Sequence, residues 1–460
     1  DVCSSDLLET RSAALLERFR ASNQSMQPFS TFTIPGSTPS DLKLVAERLV
    51  ALNHSAAQTG ARVAPRELTP ADAERKIRLG YLSCDFHEHA TAYLMARLFE
   101  LHDRDRFELF AYDWTSRPPG AIGQRVKANF DVVRRVQGIA DEQVAEMIRA
   151  DEIDVLVDLK GHTQDGRLGI LACRPAPVQL HHVGYPGTLG APFIDYLVAD
   201  RWVAPPERAG DFTEKLAYLP DCYQPTDATR AIDPRPSRRE CGLPEDGIVF
   251  CSFNQPYKFT PDVFDLWCQL LRETPGSVLW LMSWVPAAEQ NLRNEAGRRG
   301  VEAERILFAP LQPQAAHLGR LQNADIFLDT LPVNAHTTAS DALWAGVPVV
   351  TRSGESFVSR VAGSLLRTHG FTELIASTPE QYVSIARDLA LNPEKLRGLK
   401  ERLLAARTTS PLFDSERYTR HLEALYVQMW RRRVAGLAPA MLDITGEVEP
   451  VSGERVSGQR

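Results

Sequence analysis

From Ile77 the chain alternates short apolar runs with stretches of helical periodicity, and after a Pro- and Arg-rich interruption at 231–240 the alternation starts again at Ile248. The runs at 77–83, 107–112, 153–159, 178–183 and 196–199 read as buried strands, with helical stretches such as 91–101 and 142–150 between them. The second series, at 248–253, 277–284, 306–309, 326–329 and 347–351, alternates with helical stretches at 261–272, 287–299, 337–345 and 357–368. Repeated strand-helix units build a parallel sheet covered by helices. The expectation is therefore an α/β chain with two Rossmann-like, doubly wound domains facing a cleft. Length agrees: single cores stop growing near ~250–300 residues, whereas this chain has 460, of which 43% are hydrophobic.

The expected boundaries follow the pattern. A helical N-terminal segment and linker occupies 1–75, where Leu42, Val45, Leu49 and Leu52 recur at helical spacing. The first Rossmann-like domain takes 76–226, a linker 227–247, and the second Rossmann-like domain 248–409. A C-terminal helix at 410–434 packs back through Tyr418, Leu422, Leu425, Tyr426 and Met429, and 435–460 reads as a disordered tail. Because the chain starts at Asp1 without a methionine, it is expected to continue a longer one.

Lys and Arg (52) fall short of Asp and Glu (59), a formal charge of -7, so no global field attracts a nucleic-acid backbone. Seven cysteines without a C-x-x-C pair suit a reducing cytoplasm. No apolar run approaches the ~18 residues of a membrane span.

In open parallel sheets ligands bind beyond the carboxyl ends of the strands, and several such segments carry chemistry. The run Val333 to Asp341 contains Asn334 and His336 and opens a helix with Thr337 and Thr338, whose free N–H groups and hydroxyls make a phosphate site. Asp341, one turn in, could take sugar hydroxyls; a threonine-capped helix with an acidic first turn fits the same residues. Gln255 and Lys258 follow the strand at 248–253, where the lysine either neutralises a diphosphate or is an ordinary loop lysine. His89 follows the strand at 77–83 beside a helix start, a setting that favours a neutral imidazole. His87 and His89 lack a third partner for a metal, and a surface role remains open. The loops Gly161-His162-Thr163 and Gly184-Tyr185-Pro186-Gly187-Thr188 permit close approach of a ligand. Asp103-Arg104-Asp105 mimics a D-x-D metal motif but reads as a solvated turn.

Together, His89 in D-F-x-x-H-x-T, Arg174 to Gln179 with G-Y-P-G-T, Phe253 to Lys258 (F-N-Q-x-Y-K) and His336 to Gly346 (H-T-T-x-x-D-x-L-W-A-G) closely resemble the protein O-GlcNAc transferases, glycosyltransferase family 41, in a bacterial form. The resemblance spans about 76–433. It implies a GT-B fold, UDP-N-acetylglucosamine as donor, inversion at the anomeric carbon, and transfer to Ser or Thr hydroxyls of proteins or peptides. It implies no metal and no cofactor beyond the donor substrate. Residues matching Lys258 and His336-Thr337-Thr338 hold the diphosphate in that family. Those matching Gln255, His317, Arg320 and Asp341 line the nucleotide pocket, with Gln312 and Gln314 nearby, and the match of His89 faces the reaction centre. Tetratricopeptide repeats are expected upstream. Ala90 replaces a proline of the animal enzymes, Gln314 replaces a lysine near their uridine, and their large insertion between the domains is missing.

The implied reaction is one in-line displacement. His89 is the candidate base, with a donor phosphate oxygen or a relayed water as alternatives. Competing readings are the same family with GDP-fucose or UDP-glucose as donor, a UDP-sugar epimerase, and a non-catalytic nucleotide-sugar-binding scaffold; fold alone does not separate them.

Overall fold

The computed structural model describes residues 8–60 and 66–444. The first sheet contains β1 (Ile77–Ser83), β2 (Phe107–Asp113), β3 (Val132–Arg135), β4 (Val155–Asp158), β5 (Val178–His181), β6 (Tyr196–Asp200) and β7 (Lys215–Leu219). The second contains β8 (Val249–Ser252), β9 (Val278–Met282), β10 (Ile306–Ala309), β11 (Ile326–Leu328), β12 (Val349–Arg352) and β13 (Ile375–Ala376). A last strand, β14 (Leu442–Asp443), returns to the edge of the first sheet beside β7. Each described pairing is parallel. With helices on both faces of these sheets, the chain is α/β with the GT-B arrangement.

Strand order locates the crevices. The first sheet runs β14-β7-β6-β5-β4-β1-β2-β3, and the second runs β10-β9-β8-β11-β12-β13. In the first, the chain moves outward from β1 to β3 and then returns to β4 on the other side of β1. In the second, it moves from β8 to β10 and returns to β11 beside β8. These reversals are topological switch points, where loops leave adjacent strand ends in opposite directions and open a crevice.

Side-chain periodicity explains the layers. Leu422, Leu425, Tyr426, Met429 and Trp430 lie on one stripe of helix Ser415–Val434 and are buried with Leu79, Tyr81, Phe99 and Val157, so this helix covers one face of the first sheet. Phe32 and Val50 of the N-terminal helices bury against Leu82, Leu156 and Tyr185 on the opposite face. A third core fills the second sheet. Among the described residues no helix is long and apolar enough to cross a membrane.

Four strands escape the sequence pattern. β3 reads Val-Val-Arg-Arg with alternating half-buried and exposed positions, the mark of an edge strand without an apolar run. β7 starts on an exposed lysine, and β13 and β14 are two residues long. β14 corrects the expectation of a disordered tail from 435: Ile444 is buried beyond it and Asp443 pairs with Arg201. Residues 445–460 lie outside the described residues.

Helix Pro39–Gly60 begins with a capping box. Thr38 donates its N–H and hydroxyl to Asp41 at 2.9 and 2.7 Å, and Asp41 returns its N–H to the Thr38 hydroxyl at 3.2 Å. Arg20 of helix Leu8–Ala21 donates to both Asp41 oxygens at 2.7 Å. The Arg20 guanidinium first, then Thr38, holds the Asp41 carboxyl down at about 2. A depressed carboxylate contributes stability above its unfolded pKa of about 3.9 and loses it as pH falls through the folded value. Helix Leu8–Ala21 is therefore expected to undock between pH ~4 and ~2, as faster amide exchange at 8–21. Equal exchange in Asp41→Asn and the parent at pH 6 would reject this coupling.

Candidate functional site

At the switch point of the second sheet, the loops after β8 and β11 are tied together. Asn254 donates from Nδ2 to the Thr330 hydroxyl at 2.9 Å and accepts the Thr338 hydroxyl at 2.6 Å. Lys258, at the end of a single 3-10 turn, donates from Nζ to the carbonyl of Asn334 at 2.7 Å. Helix Thr337–Trp344 starts there, and His336 at its N-cap gives no side-chain cap. Its first-turn N–H groups therefore remain for a ligand, and the dipole favours an anion. An ammonium carries three donors, so Lys258 keeps two beyond the Asn334 bond.

Electrostatics agree. Burial pushes Lys258 down, with the Asp329 carboxylate pulling the other way. Asp329 is itself fixed by the Thr351 hydroxyl and the N–H groups of Thr330 and Ala335. Burial, then the Lys258 charge, pushes His336 down to about 3, so its imidazole is neutral at pH 7. The cradle presents positive charge that an incoming anion would relieve.

A second group adjoins it. His317 and Arg320 lie one turn apart on helix Gln314–Leu321, after β10. Arg320 donates to His317 Nδ1 at 3.0 Å and to the Pro310 carbonyl, and its guanidinium lies 5.4 Å from the Phe253 ring. The His317 ring meets Phe253 edge-on at 5.0 Å. Phe253, which the histidine and the arginine both meet, directly precedes Asn254 of the Lys258 cradle. Burial first and Arg320 second push His317 down to about 3, giving a neutral ring. Gln314 is half-buried at the helix start, whereas Gln312 and Gln255 are exposed.

At the switch point of the first sheet, His89 caps helix Ala90–Leu101 by accepting the Thr91 N–H on Nδ1 at 3.2 Å. Its Nδ1 is also 3.5 Å from Asp85. Asp85 receives both contacts of Lys160 Nζ, at 2.9 and 3.1 Å, and Lys160 arrives from the end of β4. Asp158 positions it by accepting the Lys160 and Gly161 N–H groups at 3.1 and 2.7 Å. Gly161 has φ 55°, and a Cβ there would come within 2.7 Å of Leu189 and Tyr185, so glycine is required. Across the cleft, Asp341 contributes to the upward shift of Tyr93, one turn beyond His89, after burial and Glu88.

Glycosyl transferase family 41 matches residues 43–234 and 234–422. The chain belongs to this family. It is 38% identical over 372 residues to the probable UDP-N-acetylglucosamine--peptide N-acetylglucosaminyltransferase SEC of Arabidopsis thaliana, covering 79% of this chain and 38% of that protein. It is 30% identical over 476 residues to the UDP-N-acetylglucosamine--peptide N-acetylglucosaminyltransferase of Caenorhabditis elegans, covering 79% of this chain and 41% of the relative. The chain thus spans about two fifths of the length of the curated relatives it matches. A solved O-GlcNAc transferase mutant from Thermobaculum terrenum superposes with TM-score 0.80 at 29% identity, covering 93% of this chain and 81% of the other.

In this family 41 chain, several residues singled out by sequence already have partners within the protein. His162 donates from Nε2 to the Leu189 carbonyl at 2.8 Å. His162 and Thr163 line a separate cavity of about 250 Å³ with Asn53 and His54. Tyr185 is buried and stacks on Phe32 at 4.9 Å. Thr188 donates to Glu214 at 2.7 Å, and with Gly187 it lines a small cavity beside Phe357. Asp341 is buried as well, its side chain 10% exposed and ion-paired with Arg230. Among the described residues no group of three or more His, Cys, Asp or Glu side chains converges as metal ligands.

The sequence reading missed Lys160, Asp85 and Arg230 as members of the site. Lys160 immediately precedes the Gly161-His162-Thr163 loop, and Asp85 stands inside the quoted D-F-x-x-H-x-T run, so proximity to motifs was their available signal. Arg230 had none: it lies in the linker, 111 residues from Asp341.

Proposed function

We propose that the chain is an inverting, metal-independent glycosyltransferase that moves N-acetylglucosamine from UDP-N-acetylglucosamine to Ser or Thr hydroxyls of proteins. The observation that carries this reading is the chemistry gathered at the two switch points. The Lys258 cradle with the uncapped Thr337 helix start occupies one, and the Asp85, His89 and Lys160 group occupies the other. Uracil would lie against His317 and Arg320, the ribose near Asp341, and the diphosphate on Lys258, Thr337 and Thr338. Lys258 and the helix end supply the positive charge that a divalent cation supplies to other nucleotide-sugar enzymes. In the single displacement a bond forms from the acceptor oxygen to the anomeric carbon and the bond to the phosphate oxygen breaks. UDP leaves with the electron pair, and the hydroxyl proton passes to an acceptor in the cleft. The six described cysteines are free, five of them buried, and on that basis we place the protein in a reducing cytoplasm.

The test is incubation with UDP-N-acetylglucosamine, UDP-glucose or GDP-fucose, each with and without a mixed protein or peptide acceptor, following released nucleotide and sugar incorporated into protein. Incorporation from UDP-N-acetylglucosamine alone is the expected result. Incorporation only from another donor would replace the sugar, conversion of UDP-N-acetylglucosamine to its epimer without acceptor would replace the reaction, and binding of UDP without turnover would leave a scaffold.

A further inference from the structure

The histidine at the first switch point has two competing claims on one nitrogen. Nδ1 of His89 accepts the Thr91 N–H at 3.2 Å, which requires a lone pair there and places the proton of the neutral ring on Nε2. The same Nδ1 lies 3.5 Å from Asp85 Oδ2. An uncompensated carboxylate at that position draws the proton to Nδ1, because N–H facing O⁻ is attractive and a lone pair facing O⁻ is repulsive.

Lys160 decides between the two. Its ammonium contacts both Asp85 oxygens, at 2.9 and 3.1 Å, and the two side chains are only 6% and 7% exposed, so their charges compensate each other with little screening. Cys84 adds a weak S–H donor to Asp85 at 3.6 Å. The other groups facing the imidazole are the His87 ring, 5.6 Å away, and more distantly Arg117; His87 is held below its ordinary value by burial. Burial likewise holds His89 below its ordinary value, keeping the ring neutral at pH 7. With Asp85 compensated, the helix N–H retains the Nδ1 lone pair. The His89 side chain is 40% exposed, and with Nδ1 engaged inward the exposed edge carries Nε2.

We infer that Lys160 is a positioning residue that, by pairing with Asp85, holds His89 in the Nε2–H tautomer, so that His89 offers the cleft a hydrogen-bond donor and not a general base. The proton of the acceptor hydroxyl then goes to one of the other groups considered for it, a donor phosphate oxygen or a relayed water. The catalytic consequence rests on the proposed transferase reading; the tautomer does not.

Long-range proton-nitrogen spectra of the full chain labelled with ¹⁵N-histidine read the tautomer directly, with His89→Gln identifying its resonances among the eleven histidines. The expected pattern is a pyridine-like Nδ1 and a pyrrole-like Nε2 at neutral pH. Lys160→Met should move the proton to Nδ1, and Lys160→Arg should restore it. Should Lys160→Met not fold, Lys160→Met/Asp85→Asn removes both charges and should keep the Nε2–H form. A pyrrole-like Nδ1 in the parent chain would overturn the inference, as would an unchanged tautomer in a folded Lys160→Met. In sugar transfer, His89→Gln, which retains an N–H donor and is no base, should exceed His89→Ala by about tenfold or more. Equal loss in both variants would overturn the donor role. Absence of transfer by the parent chain itself would count against the transferase reading while the spectra still decide the tautomer.

Discussion

Replacement of Lys258 by alanine is expected to lower kcat for sugar transfer by about 100-fold or more, in line with removal of one preorganised charge-stabilising donor. The reason lies in how the ammonium is held. One of its three donors is spent on the Asn334 carbonyl at 2.7 Å, which aims the remaining two without satisfying them. Burial also makes its charge costly, and a diphosphate with developing negative charge would relieve that cost most in the transition state. Stability should move in the opposite direction. A lysine whose folded pKa lies below its unfolded value disfavours folding wherever it is charged, so Lys258→Ala should leave the midpoint of unfolding at neutral pH unchanged or raised. Near-full turnover in this variant would remove Lys258 from the mechanism.

The second large effect is on folding. Arg230 and Asp341 form an ion pair whose side chains are 2% and 10% exposed, and Arg230 also reaches the Ser340 hydroxyl and the Asp227 carbonyl. Burial is the leading influence on both partners, raising Asp341 and lowering Arg230, and each partner offsets it for the other. Removing one member leaves the other charge buried alone, a loss of about 3–5 kcal/mol. Arg230→Met is expected to lose that much stability in urea unfolding at pH 7. The pH dependence has a definite sign: an unpaired Asp341 has a folded pKa raised above the unfolded ~3.9, so its penalty grows above that pH and fades as pH falls toward 4. Arg230→Met/Asp341→Leu should recover most of the loss, because an apolar pair of similar volume often replaces a buried ion pair without cost. A single variant as stable as the parent at pH 7 would show that the pair contributes no net stability.

Both effects bear on how far the chain could be read before its structure. Lys258, Thr337 and Thr338 stood out as residues because each lies in a segment that follows a strand, whereas His317 and Arg320 stood out only through the resemblance to the O-GlcNAc transferases. A helix start with free N–H groups is a local arrangement. Ten strands were legible because buried strands are short apolar runs, whereas β3 with its two arginines was hidden by its place at a sheet edge.

The linear order of residues was enough for the α/β class and the two sheets, since periodicity acts over a few residues. Tertiary structure alone decided which strand ends meet. The order β4-β1 places Lys160 against Asp85 across 75 residues, and the return of the linker places Arg230 against Asp341 across 111. Partners so far apart share no local pattern. Their pairing is selected only when burial removes water and an isolated charge becomes more costly than a compensated one.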